Sequence, residues 1–114
     1  MNNVELLREL LEAGGDPTTS DVRGWTPLHF AAQEHAVESA LLLLQAGADV
    51  DARDEWGNTP LWVATFNSKG RGDMIALLLD TGAGPDTANS SGRTPRELGN
   101  LIGNDDVAQY FVGR

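Results

Sequence analysis

The chain has 114 residues, seventeen acids against eight bases, a formal charge of −9 and no cysteine. The length suits one domain. The missing cysteine removes disulfides, thiolate metal sites and a cysteine nucleophile. The negative charge argues against nucleic acid or an anionic membrane as partner and favours a basic protein surface.

The N-terminus, MNNVELLRELLEAGGD, has no basic segment leading into an apolar run, so it does not read as a secretory signal. The longest apolar run, Ala40 to Leu44, is far too short to span a membrane. The spacing predicts a first helix from Val4 to Ala13. Its four leucines, Leu6, Leu7, Leu10 and Leu11, are too many for one buried face. A simple cap is the expectation. A partner, a second copy or upstream residues are the other segments that would cover it.

A phrase then recurs. Asp21-Val22-Arg23-Gly24-Trp25-Thr26-Pro27-Leu28 matches Asp54-Glu55-Trp56-Gly57-Asn58-Thr59-Pro60-Leu61 thirty-three residues on. A weaker copy, Asn89-Ser90-Ser91-Gly92-Arg93-Thr94-Pro95-Arg96, follows after thirty-five more. The Asp or Asn and the Gly make a turn, one accepting local backbone bonds and the other tolerating positive φ. The Thr caps a helix whose first residue is Pro, where no donor is needed. Short helices are predicted from Pro27 to about Glu34 and from Pro60 to about Asn67. A second helix follows each time. In the first, Val37, Ala40, Leu41 and Leu44 fall at helical spacing, with Leu42 and Leu43 widening the stripe, before Gly47. In the next, Ile75, Leu78 and Leu79 do so before Gly82. A unit of helix, turn, helix and loop cannot bury both sides of its helices alone, so neighbouring copies must stack.

The sequence resembles an ankyrin repeat protein. The family's Thr-Pro-Leu-His-x-Ala core stands whole at Thr26 to Ala31, and Leu41 to Asp54 resembles its second helix and β-turn. The resemblance implies an all-α ankyrin solenoid of about three and a half helix-turn-helix units with β-turn loops. The expected divisions are an N-terminal half unit over 1–20, a repeat over 21–53, a repeat with a loop insertion over 54–88, and a C-terminal capping repeat over 89–114. Four departures stand out. His35 replaces a helix-ending Gly, Trp62 replaces the motif His, extra residues lie near Asn67-Ser68-Lys69-Gly70, and Arg96 stands where a core Leu is expected.

No constellation proposes an enzyme, a metal site or a cofactor. His29 belongs to the motif, where the family uses it to hold neighbouring turns. His35 sits at a helix end, with no carboxylate at ligand spacing. Ser39, Ser68, Ser90 and Ser91 lack a nucleophile-elbow context. Asp105-Asp106 reads as charge at a helix N-terminus. Lys69-Gly70-Arg71-Gly72 lacks the spacing of a phosphate loop. The resemblance instead places partner contacts on the turn tips and first helices: Val22, Arg23, Trp25, Gln33 and Glu34, then Glu55, Trp56, Asn58, Trp62, Phe66 and Asn67, then Ser90 and Arg93. Phe66 is equally readable as core. Trp and Arg dominate binding hot spots, and Asp49, Asp51, Asp54, Glu55 and Glu34 outnumber the one local base considered, Arg53.

The expected function is non-enzymatic protein binding by a cytoplasmic monomer or one-to-one complex. Small stand-alone bacterial ankyrin proteins with a similar second unit and end resemble immunity factors, which implies an inhibitor of a basic toxin enzyme. A general adaptor is the alternative.

Overall fold

A computed structural model describes residues 3–102 and 105–114. Among them are seven α-helices and no strand: α1 (Asn3–Glu12), α2 (Pro27–Glu34), α3 (Val37–Gln45), α4 (Pro60–Phe66), α5 (Asp73–Asp80), α6 (Pro95–Leu101) and α7 (Asp105–Ala108), followed by a 3-10 turn over Gln109–Phe111. The expected role of the Asp105 and Asp106 side chains lies outside what is described.

Local chemistry sets the helix starts. Thr26, Thr59 and Thr94 have extended backbones, and each hydroxyl accepts the backbone N–H three residues on, from His29, Trp62 and Glu97. Proline follows each cap, where its missing N–H leaves no bond unmade. The ends are equally specific. α1, α3 and α5 all stop at a glycine of positive φ, Gly14, Gly47 and Gly82. In each, the following N–H returns to the carbonyl of Leu10, Leu43 or Leu78. This shared ending makes α1 a second helix of the same kind. α2 ends on His35 at φ 55, so an imidazole residue takes the left-handed position. α4 ends one residue before the expected point: Asn67 is its cap, and the Asn67 amide donates to the Val63 carbonyl at 2.9 Å.

The helices stack in two rows. α2, α4 and α6 pack side by side, α1, α3 and α5 form the other row, and α2–α3 and α4–α5 pair across it. The result is 42 Å long and 21 Å thick, the elongated outline of a short solenoid. Leu28 and Leu61 are fully buried, as are Ala32 and Ala64 at matching positions. Each buried leucine contributes about 1.5–3 kcal/mol through burial. α5 buries the expected Ile75, Leu78 and Leu79. α3 buries Ala40 and Leu43, while Leu41, about 100° round the helix from Ala40, faces solvent. In α1, Leu7 and Leu11 are half-buried and Leu6 and Leu10 are exposed.

The turns stack as well. Glu55 N–H donates to the Arg23 carbonyl and Ser90 N–H to the Trp56 carbonyl, both at 2.8 Å. Further bonds tie the loops that lead into the second and third tips: Gly84 N–H to Asp51 Oδ1 at 3.0 Å, and Arg53 Nη2 to the Ala88 carbonyl at 2.9 Å. At the C-terminal end Arg96 grips Asp86 with two nitrogens and donates to the carbonyls of Phe111 and Arg114. The departure from leucine there supplies a polar closure. Exposed as that ion pair is, the carbonyl bonds matter more than the charge.

Gly57 tests the turn stack. Its φ is 77, and a Cβ there would lie 3.0 Å from Ser90 N and 3.2 Å from Asn89 Cα, both backbone. Gly47, at φ 102, has open space around that position. Gly47→Ala is expected to cost about 1–2 kcal/mol from backbone strain alone. Gly57→Ala should cost distinctly more, because the neighbouring turn must also move. Urea unfolding of the two variants measures the difference.

Candidate partner-binding face

The turn that follows each Asp or Asn is rigid before any partner arrives. Asp21 Oδ1 accepts the N–H groups of Arg23 and Trp25, each at 2.9 Å. Asp54 Oδ1 does the same for Trp56 and Asn58, and Asn89 Oδ1 for Ser91 and Arg93. The three tips are thus repeated backbone loops carrying different side chains.

His29 locks the first tip to the second. Its Nε2 lies 2.9 Å from the Asn58 carbonyl, which only accepts, so Nε2 carries the proton. Nδ1 is then an acceptor, and it receives the Thr26 N–H at 3.2 Å and the Thr26 hydroxyl at 3.0 Å. This is the turn-holding role that the motif implied. His35 repeats the device farther along: its Nε2 is 2.6 Å from the Asn67 carbonyl.

The predicted contact residues divide into three groups. Val22, Arg23, Glu55, Trp56, Ser90 and Arg93 are exposed on the tips; Val22 is 98% exposed and Trp56 51%. Trp25, Gln33, Asn58, Trp62, Phe66 and Asn67 come together around a cleft between α2 and α4, of about 330 Å³. Phe66 is 67% exposed, which removes its alternative reading as core. Glu34 stands exposed at the end of α2, on the other flank of that helix.

Trp25 is not a free loop aromatic. Its indole stacks on His29 with centroids 5.5 Å apart, meets Phe30 edge-on at 4.8 Å, and donates to Asp54 Oδ2 at 2.9 Å. One face of the ring remains on the cleft. Asn58 is half-buried, its Oδ1 accepting from Asn89 Nδ2 at 2.9 Å. The acidic rim is also reworked. Asp49, Asp51 and Asp54 each accept internal backbone or indole bonds, leaving Glu34 and Glu55 as the fully presented carboxylates. Arg23 and Arg93 add two bases at the tips.

Phe30 was not among the predicted contacts, yet it is 47% exposed beside Trp25. Its signal was available: it fills the variable x of Thr-Pro-Leu-His-x-Ala with a large ring. No group of three or more His, Asp or Glu among the described residues is placed to hold a metal, and no described helix is long and apolar enough to cross a membrane.

A family profile described as "Ankyrin repeats (3 copies)" matches residues 1–91. The chain belongs to the ankyrin repeat family, whose repeats are non-catalytic modules for protein–protein interaction. It is similar to potassium channel GORK of Arabidopsis thaliana, 41% identical over 76 residues, covering 67% of this chain and 9% of that one. It is similar to cyclin-dependent kinase inhibitor 2A of Monodelphis domestica, 43% identical over 65 residues, covering 56% and 38%. It is also similar to ankyrin repeat and SOCS box protein 3 of Homo sapiens, 32% identical over 96 residues, covering 82% and 18%. The chain therefore spans well under half of each relative. These relatives come from a plant and two animals, and the narrower expectation of a bacterial immunity-like factor draws no support from them.

Burial of His29 holds its pKa below the ordinary imidazole value of 6.5, against the opposing pull of the Asn58 carbonyl, Asp54 and Asp21. A second proton would also turn Nδ1 from acceptor to donor, facing the Thr26 N–H. The unfolded chain therefore takes up this proton first, and the contribution is complete above about pH 6.5 and lost as pH falls through the lower folded value. His29→Gln should be less stable by about 1–2 kcal/mol. Its stability should also fall less steeply than the parent's between about pH 7.5 and 5.5, as measured by urea unfolding across that range.

Proposed function

We propose that the chain binds a protein partner through the tips and the α2–α4 cleft, and that the partner presents a basic surface. The observation that carries this reading is the aromatic set. Trp56 and Phe66 are largely exposed, and Trp62 and one face of Trp25 border the same cleft. A large ring kept in water on a rigid scaffold is a hot spot in waiting, because little side-chain freedom remains to be lost on binding. Glu55 on the second tip, within a chain of charge −9, supplies the complementary sign. The repeat limits 21–53, 54–88 and 89–114 follow the three turns that build this face.

Its action is best read as inhibition by occupancy. A rigid tip row without catalytic groups acts on a target by covering it, and one relative bears the name of a kinase inhibitor. Neutralising a basic toxin enzyme in the cytoplasm is the narrowest form of this reading and rests on the sequence resemblance alone. An adaptor role is the second reading. It is favoured by the relatives in which the matched stretch is a small part of a much longer protein, such as the potassium channel and the SOCS box protein.

Partner capture on immobilised chain, followed by titration of the recovered protein, tests the binding face. Trp56→Ala and Phe66→Ala should each weaken the complex by about 2 kcal/mol, roughly thirtyfold. Each should leave folding stability within about 0.5 kcal/mol. Association should slow as salt rises. Capture and affinity unchanged in the double variant would overturn the assignment of this face. Trp25→Phe should behave differently. It leaves Asp54 Oδ2 without its donor and should lower stability by about 1–2 kcal/mol, whether or not it alters binding.

A further inference from the structure

The flank of α2 turned away from α4 carries a second groove of about 600 Å³, separate from the cleft described above. We propose that it takes a cationic amphipathic helix of a protein partner. The argument begins with stacking. Within the stack, the junction between α2 and α4 buries Pro60, Val63 and Ala64 of α4, with Val63 only 5% exposed. The residues thirty-three positions earlier are Pro27, Phe30 and Ala31. Among the described residues no first helix stands against them, and Phe30 is 47% exposed. The same repeat geometry that covers α4 thus leaves the corresponding flank of α2 open.

The groove has the form of a helix seat. Ala31 and Leu43 belong to its floor, Leu7 of α1 stands on one side, and Trp25 and Phe30 stand on the other. The first helices of this stack are seven or eight residues long. An incoming helix of two or more turns, with apolar side chains at i, i+3 or i+4 and i+7, repeats the contact that α2 makes with α4.

Charge chooses the occupant. Asp21 and Glu34 are the charged residues lining the groove, both are acidic, and neither Lys nor Arg lines it. On α1, Arg8, Glu9 and Glu12 are exposed, and none of them lines the groove. A helix flanked by Lys and Arg is attracted to this rim, and an acidic one is repelled. The α1 helix of a second copy is a poor occupant by the same rule. Beside its exposed Leu6 and Leu10 it carries Glu5, Glu9 and Glu12 against Arg8 alone. This inference does not rest on the α2–α4 cleft, because the two lie on opposite flanks of α2.

A labelled Leu/Lys amphipathic peptide of roughly eighteen residues, long enough to hold helical structure, tests it against the full chain by fluorescence anisotropy. Two control peptides have the same composition scrambled, and Glu in place of Lys. The amphipathic peptide should bind one-to-one, and both controls at least about tenfold more weakly. Phe30→Asp and Glu34→Lys should each weaken binding about tenfold or more, with melting curves showing both variants folded. Trp56→Ala with Phe66→Ala should leave it unchanged, which separates this groove from the cleft. Methyl resonances of Leu7, Ala31 and Leu43 should shift on titration, ahead of Val63. Equal affinity for the scrambled peptide, indifference to Phe30→Asp, or shifts centred on Val63 would each overturn the proposal. So would sedimentation showing that a second copy already fills the groove and that the peptide does not displace it.

Discussion

The carbonyl oxygen of Asn58 accepts two hydrogen bonds, one from the Asp54 N–H that closes its own turn and one from the imidazole of His29 in the preceding unit. Both of its lone pairs are committed. The bond within the turn gives the tip its shape, and the bond between units fixes where that shape stands. The dependence runs backwards along the chain as well. His29 can donate at Nε2 only while Nδ1 is an acceptor, and the Thr26 N–H and hydroxyl hold it so. The residue that starts helix α2 therefore also sets the tautomer that joins two repeats.

Trp25 shows how this scaffold and the candidate face share atoms. Its indole covers His29 and so helps to keep water from the ring. Its N–H ties down Asp54, the acid that orders the next tip. The remaining ring surface borders the cleft on one flank of α2 and the groove on the other. The carboxylates divide in the same way: Asp21, Asp54 and Asp49 build turns, while Glu34 and Glu55 point outward. Net charge overstates the number of acids that a partner meets with free lone pairs. It does not overstate the field, because the bonded carboxylates remain charged.

Much of the architecture was legible because its determinants are local. Thr before Pro fixes a helix start, Gly47 and Gly82 fix helix ends, and the spacing of Gly24, Gly57 and Gly92 sets the repeat. These signals act within a few residues, so a linear reading finds them. The exposure of individual aromatics was less legible. Trp25 and Trp56 occupy different positions of neighbouring turns, the fifth and the third; the fifth residue is half-buried against the next tip, as Asn58 is in the second turn, and the third is exposed. What holds Trp25 there is Asp54, twenty-nine residues from it, which no local pattern places beside it. Phe66 was named as a contact but read equally well as core, for the converse reason. It lies at the last turn of α4, where a helical period cannot say which flank the neighbouring unit leaves open. Leu41 was assigned to the buried stripe because four leucines in a row make the phase of the helix ambiguous.

The two seams of the solenoid are stitched differently. The front seam is fastened by an imidazole buried beneath an indole. At the equivalent position of the next unit stands Trp62, whose ring has no acceptor for its cap threonine, and beside the backbone bond that both seams share the joining there falls to the side chains of Asn89, Arg53 and Asp51 reaching across from the loops. Those bonds are made by groups nearer water and with more rotamers to choose from. The candidate face is accordingly joined through a buried ring beneath Trp25 and through side chains closer to solvent beyond Trp62.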